Sequence, residues 1–417
     1  MNKTHTVDTN QPDGLVISSL HDTWNIEKGV TVSDDADYAL LEGYYASGNT
    51  INIDGSVTDK GWAVGINGLG THLTLGADGA IDAGYGGISF TGAYAQFTNE
   101  GGVWGGSVGV HFEGGHFKAV NNASITAGDW AWGVDHAGGG RIVNGADGLI
   151  SAHASGIFVE NKASQDTKII NHGEIHGDNF SIYSTSGQEH IRNTGLLDGN
   201  VSLGGGDDVL DSRGGGIAGS IDLGGGDDRL DLRHRSLVPV DPSASPVYGG
   251  GGNDTFIIDG AVDIIEAKNG GFDVVRSSAS VTLADNVEEL LLLGKKDIDG
   301  TGSAGGDRLE GNAGDNHLRG MGGADEISGN KGNDILTGGG DADTFFFVAG
   351  SGHDKVTDFV AGIDHVDLED FDIPSFHALK THHMENVGDD LAISIGDDTL
   401  TLKHTHIADI DKNDFVL

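Results

Sequence analysis

Five nine-residue units follow one another without a gap between Gly302 and Phe346, reading GSAGGDRLE, GNAGDNHLR, GMGGADEIS, GNKGNDILT and GGGDADTFF. Each opens on Gly and places Asp or Asn sixth: Asp307, Asn316, Asp325, Asp334 and Asp343. Each also places one bulky apolar residue eighth: Leu309, Leu318, Ile327, Leu336 and Phe345. Short carboxylates at a fixed interval are hard oxygen donors, and glycine lets a backbone take positive φ and turn its carbonyls toward one point. If two units complete one coil, units on the same side recur every eighteen residues, and a hard cation fits between successive loops at about 2.3–2.6 Å from its oxygens. This pairing stacks Asp307, Asp325 and Asp343 on one edge. It stacks Asn316 with Asp334 on the other, continued by Asp354 twenty residues later. Carbonyls of Gly302, Ala304, Gly320, Gly322, Gly329, Lys331, Gly338 and Gly340 are expected to complete the donor sets. Neutral Asn316 should make its site the weaker one. A low-complexity linker has no reason to keep an apolar residue at every eighth place.

These units resemble the glycine- and aspartate-rich repeats of RTX proteins, and the resemblance implies several bound calcium ions. Earlier loops are similar. Gly204–Asp208 and Gly224–Asp228 look like units in which Leu203 or Leu223 replaces the first Gly, and Gly249-Gly-Gly-Gly-Asn-Asp254-Thr-Phe256 is a full unit. Asp273 follows Asp254 by nineteen residues. Asp208, Asp228, Asp254 and Asp273, with carbonyls of Gly249 and Gly251, are therefore expected to form a second stack of sites.

The elements that must position these groups are strands. Apolar residues Val32, Val57, Ile81, Val103, Ile125, Ile150, Ile175 and Leu197 recur at intervals of 22 to 25 residues, one coil of a β-solenoid. Asn99, Asn121, Asn144, Asn171 and Asn193 close a strand in successive coils, similar to the asparagine ladder of right-handed parallel β-helices. The expected fold is all-β, a parallel β-helix or β-solenoid continuing into an RTX calcium β-roll with a small β cap. Its expected divisions are a disordered segment 1–12, a β-helix with calcium loops in its last coils over 13–237, and a proline-containing loop over 238–247. An RTX unit and linker over 248–300, a β-roll over 301–346 and a cap over 347–417 follow. The cap resembles the one behind the roll of serralysin-type metalloproteases.

Composition bounds the partners. The 417 residues carry a formal net charge of −41, which repels nucleic acid and anionic membranes and opposes a compact state unless cations offset it. There is no cysteine, no apolar run long enough to span a membrane, and no secretory h-region after Met1. The ending Asp414-Phe415-Val416-Leu417 is similar to the uncleaved C-terminal signal of proteins that leave through type I secretion machinery. That resemblance implies a secreted, extracellular or surface-associated protein.

Catalytic signatures are sparse. His-Glu-x-x-His, a phosphate loop and a cysteine nucleophile are all missing, and His382-His383-Met384-Glu385 reads as a loop. Polysaccharide lyases and C5-epimerases use parallel β-helices, and some alginate epimerases carry RTX modules. A uronate-acting site is therefore the enzymatic alternative. It would draw on His111, Asp135, His136 and Arg141, with Trp104, Trp130 and Trp132 lining a groove. The outward column expected there is Asn67, Ser89, His111, Asp135, Phe158 and Tyr183. The Asp-Pro-His signature of the epimerases is missing, because His136 follows Asp135 directly. The first reading is thus a non-enzymatic calcium-binding surface or matrix component, with acidic polysaccharide or further copies of the chain as candidate partners.

Overall fold

The computed structural model describes residues 2–35, 37–135, 139–160, 162, 165–234 and 245–417. Most of the proline-containing loop and the candidate His136 lie outside them. Two compact units, Met1–Tyr248 and Gly249–Leu417, make up the chain.

In the first unit each coil contributes three strands, for example Phe117–Asn121, Ser124–Ala127 and Trp130–Asp135. Each pairs in parallel with its equivalents one coil on, Gly140–Asn144, Leu149–Ala152 and Ser155–Glu160. Because the coil length equals the sequence repeat, equivalent side chains stack. Val32, Val57, Ile81, Val103, Ile125, Ile150, Ile175 and Leu197 form one continuous register and are all buried. The asparagines stack likewise. Asn99 Nδ2 donates to Asn121 Oδ1 at 2.7 Å, and the chain of amides runs through Asn144 and Asn171 to Asn193. Each rung joins two coils, and the same amides also donate to nearby carbonyls such as those of Ala123 and Gly148. The segment expected to be disordered is not so throughout. Thr4–Val7 pairs in parallel with Thr23–Ile26, held by Val7 in the core and by His5 stacked on Trp24 at 4.1 Å.

In the second unit the coil shortens and two parallel stacks face each other across the eighth-place residues. One aligns Phe256, Val275, Leu290, Leu309, Ile327, Phe345, Val366 and Phe415. The other aligns Leu318, Leu336, Val356 and Leu402. Asp390–Ile395 then adds antiparallel to Asp398–Leu402, and Met384–Val387 antiparallel to Asp390–Ile395, a change of direction that ends the parallel repeat. Helix Phe376–His382, capped by Ser375 Oγ accepting from the Ala378 N–H, was not foreseen, since it buries only Leu379 and leaves no periodic signal. Among the described residues no helix is long and apolar enough to cross a membrane.

Candidate metal centres

The sixth-place residues form two ladders in the second unit. The Asp307 N–H donates to Asp325 Oδ1 at 2.8 Å and the Asp325 N–H to Asp343 Oδ1 at 2.9 Å. On the other edge the Asn316 N–H donates to Asp334 Oδ1 at 2.7 Å and the Asp334 N–H to Asp354 Oδ1 at 2.9 Å. Asp325, Asp343, Asp334 and Asp354 thus each spend one oxygen on the preceding coil, while Asp307 accepts from Ser303 of its own unit. Oδ2 of Asp325 and Oδ2 of Asp334 are buried without a hydrogen-bond partner. An orphaned carboxylate oxygen inside a protein costs free energy unless a cation or a proton meets it. The all-oxygen donor set, with no nitrogen or thiolate, fits calcium. Asn316 differs as its chemistry requires, since its amide donates to the Ile298 carbonyl at 2.7 Å and accepts from the Asn312 N–H at 2.8 Å.

The first-place glycines are there for a different reason from the one expected. Gly302, Gly311, Gly320, Gly329 and Gly338 do not have positive φ; that conformation falls on the second and fourth places, at Met321, Asn330 and Gly339 and at Gly323, Gly332 and Asp341. A first-place Cβ would instead lie 1.9 Å from Asp325 Oδ2 at Gly320, 2.3 Å from Asp334 Oδ2 at Gly329 and 2.1 Å from Asp343 Oδ2 at Gly338. The missing side chain is the cradle of the unit's own carboxylate. Third places make no such demand: a Cβ at Gly340 meets nothing within 4 Å and one at Gly322 only a carbonyl at 3.9 Å. Ala304 and Lys331 occupy that place in sister units.

Asp208 and Asp228 are brought together in the first unit, with the Asp208 N–H donating to Asp228 Oδ1 at 2.7 Å, and Asp254 and Asp273 in the second, at 2.8 Å. Several members were missed by spacing alone. Asp364 extends the first ladder by accepting from the Asp343 N–H at 3.1 Å, Glu288 accepts from the Asp273 N–H at 2.8 Å, and Glu266 projects beside Asp254. An acid opening an alternating strand, as in Asp364-His-Val-Asp-Leu368, was the available signal for the first.

Burial dominates the electrostatics. It pushes Asp208 up to about 8, Asp325 and Asp334 to about 7, and Asp343 and Asp354 to about 6; Asp307 and Asp273 also rise. Neighbouring carboxylates add to the rise at Asp325 and Asp334. Without a cation, burial shifts these groups toward their neutral form.

The enzymatic candidates do not assemble as expected. His111 Nε2 lies 2.9 Å from Asp135 Oδ2, but His111 aligns with Gly133, because Val110 aligns with Trp132 and not with Val134. The column is therefore Gly65, Ser89, His111, Gly133, Phe158 and Tyr183, without Asn67 or Asp135. Trp132 is fully buried against Phe112 and Phe97 and cannot line a groove. Trp130 stacks on Phe158 at 4.5 Å, and Trp104 stands exposed. Arg141 belongs to another sheet, between Lys118 and Lys168. His382 ends the helix and Met384 begins a strand, so that cluster is not the loop expected.

No curated protein matches the chain. Among solved structures, the AlgE6R3 subunit of the Azotobacter vinelandii mannuronan C5-epimerase is 22% identical over 32% of this chain and 86% of that one, with a TM-score of 0.27. Extracellular lipase LipA of Serratia marcescens is 19% identical over 62% of this chain and 42% of that one, with a TM-score of 0.25. The family model for the RTX calcium-binding nonapeptide repeat (4 copies) matches residues 301–336 and 320–356. Residues 301–356, whose carboxylates the two ladders align, are RTX calcium-binding nonapeptide repeats within a β-solenoid, and several repeats imply several calcium ions.

Proposed function

We propose that the protein is secreted and becomes fully folded only where calcium is plentiful, serving as a structural or adhesive component at a cell surface or in an extracellular matrix. The observation that carries this reading is the pair of buried ladders in which Oδ2 of Asp325 and Oδ2 of Asp334 have no hydrogen-bond partner. Extracellular calcium modules have dissociation constants of about 10⁻⁴–10⁻³ M. At about 1 mM calcium each such site stabilises the fold by roughly 0.4–1.4 kcal/mol through mass action. A handful of sites together reach several kcal/mol, against a typical domain stability of about 5–15 kcal/mol. In a cytoplasm with sub-micromolar calcium that contribution vanishes, which suits a chain exported unfolded through type I machinery. Repetitive strand faces offer long surfaces for lateral contacts. The test is far-ultraviolet circular dichroism and thermal melting in chelator and in millimolar calcium. Identical spectra and melting temperatures would remove the calcium-folding reading; failure to sediment with calcium-treated cells or matrix would remove the adhesive one.

A second reading, binding or processing of an acidic polysaccharide, is favoured by one feature. Lys118, Arg141 and Lys168 align in adjacent strands, are exposed, and have no ion-pair partner among the described residues. Like charges directly opposite on adjacent strands disfavour the fold, and a polyanion laid across them removes that cost. Incubation with alginate and pectin, monitored for retention and for unsaturated product, separates binding from catalysis.

A further inference from the structure

We propose that Asp254, Glu266 and Asp273 form a discrete calcium-class cation site, in which a glutamate from outside the nonapeptide supplies the third carboxylate. One oxygen from each of the three lies within 4.8 Å of the other two, and all three residues are buried. Oxygens bound at about 2.4 Å to one calcium ion are at most about 4.8 Å apart, so the spread matches a shared ion. Two further observations point to a ligand. Glu266 is 7% exposed and its Oε1 has no hydrogen-bond partner; Asp273 is fully buried and its Oδ2 has none. The remaining oxygens are fixed, since Glu266 Oε2 accepts from the Gly250 and Ala267 N–H groups and Asp273 Oδ1 from the Asp254 N–H. Both carboxylates are therefore held by one oxygen and present the other.

Gly249 makes the site possible. In the units from Gly302 onward the space above a first-place glycine is filled by that unit's own sixth-place residue, whereas at Gly249 it is filled by Glu266, whose Oε1 would lie 1.7 Å from a Cβ. The glutamate thus enters the repeat's cradle from a later segment. With three carboxylates the site carries more charge than a repeat loop with two, and oxygen sites gain calcium affinity with ligand charge. It should accordingly fill at lower calcium than the 301–356 repeats. The bound ion would also clamp segment 259–272, whose Ile265, Lys268 and Phe272 are exposed, onto the solenoid.

The test uses the full chain, calcium titration calorimetry, and trypsin cleavage after Lys268 followed by mass spectrometry. Glu266→Gln is expected to weaken the tightest class of sites at least ten-fold and to leave Lys268 cleavable in calcium. Gly249→Ala should do the same, while Asp325→Asn should spare the tight class. A purely structural Glu266 is distinguished by the sign of the melting shift. As a ligand, its replacement by the neutral amide should raise the melting temperature in chelator and lower it in calcium; lowering in both would overturn the proposal. So would an unchanged tight class in Glu266→Gln. If the unaltered chain takes up no calcium, the calcium-folding reading fails; if it does and Glu266→Gln matches it, only this site fails.

Discussion

Replacing Gly329 by alanine places a methyl group 2.3 Å from Asp334 Oδ2 and 2.7 Å from its carboxyl carbon. The backbone there does not have positive φ, so any penalty comes from the carboxylate and not from backbone strain. Restoring an ordinary contact moves the carboxylate by ~1 Å, which breaks the 2.7 Å bond from the Asn316 N–H and withdraws Oδ2 from the place where a cation would meet it. A hydrogen bond to a charged group is worth about 1.5–3 kcal/mol, and a unit of this size loses ~2–4 °C per kcal/mol, so the melting temperature should fall by roughly 3–12 °C. Gly340→Ala is the control: its Cβ meets nothing within 4 Å, and the change should stay within about 0.5 kcal/mol. Differential scanning calorimetry in chelator and in millimolar calcium reads both, with the gap between variants widest in calcium. Equal melting temperatures for Gly329→Ala and Gly340→Ala would show that the first-place glycine does not cradle the carboxylate.

Burial raises Asp325 and Asp334 to about 7 and Asp343 and Asp354 to about 6, above the unfolded carboxylate range. Their contribution without calcium is therefore complete below about pH 4 and lost as pH rises through about 6–7. Urea midpoints in chelator should fall between pH 5 and pH 8, and a rise over that interval would contradict the assignment. Asn144→Ala removes amide bonds to Asn121 and Asn171 and to the Gly148 and Glu174 carbonyls, and should cost about 2–4 kcal/mol, read by urea denaturation. Asn122→Ala, which cuts one exposed bond to Glu100, should cost less than about 0.5 kcal/mol. Trp132→Ala should cost about 3–5 kcal/mol in the same assay, whereas Trp132→Phe should be far milder, because the indole Nε1 is buried without a partner.

The sequence by itself determined the solenoid and much of its metal chemistry. In a coil that returns to its starting point every repeat, spacing along the chain is register across the sheet. Val103 and Ile125, or Asp307 and Asp325, therefore meet because of their separation, and the eighth-place residues are core for the same reason. Tertiary structure decided whatever departs from that arithmetic. Glu266 enters the cradle over Gly249 from a segment that belongs to no repeat, and Asp364 joins a ladder across a longer connection. Trp132 occupies the slot aligned with Val110, so the aromatic residue that spacing alone assigned to a groove is core. Arg141 lies in the next strand, Gly140–Asn144, which belongs to a different sheet. Within a repeat the neighbour is set by counting; at corners and insertions, the extra residues and the direction of each side chain decide which groups meet.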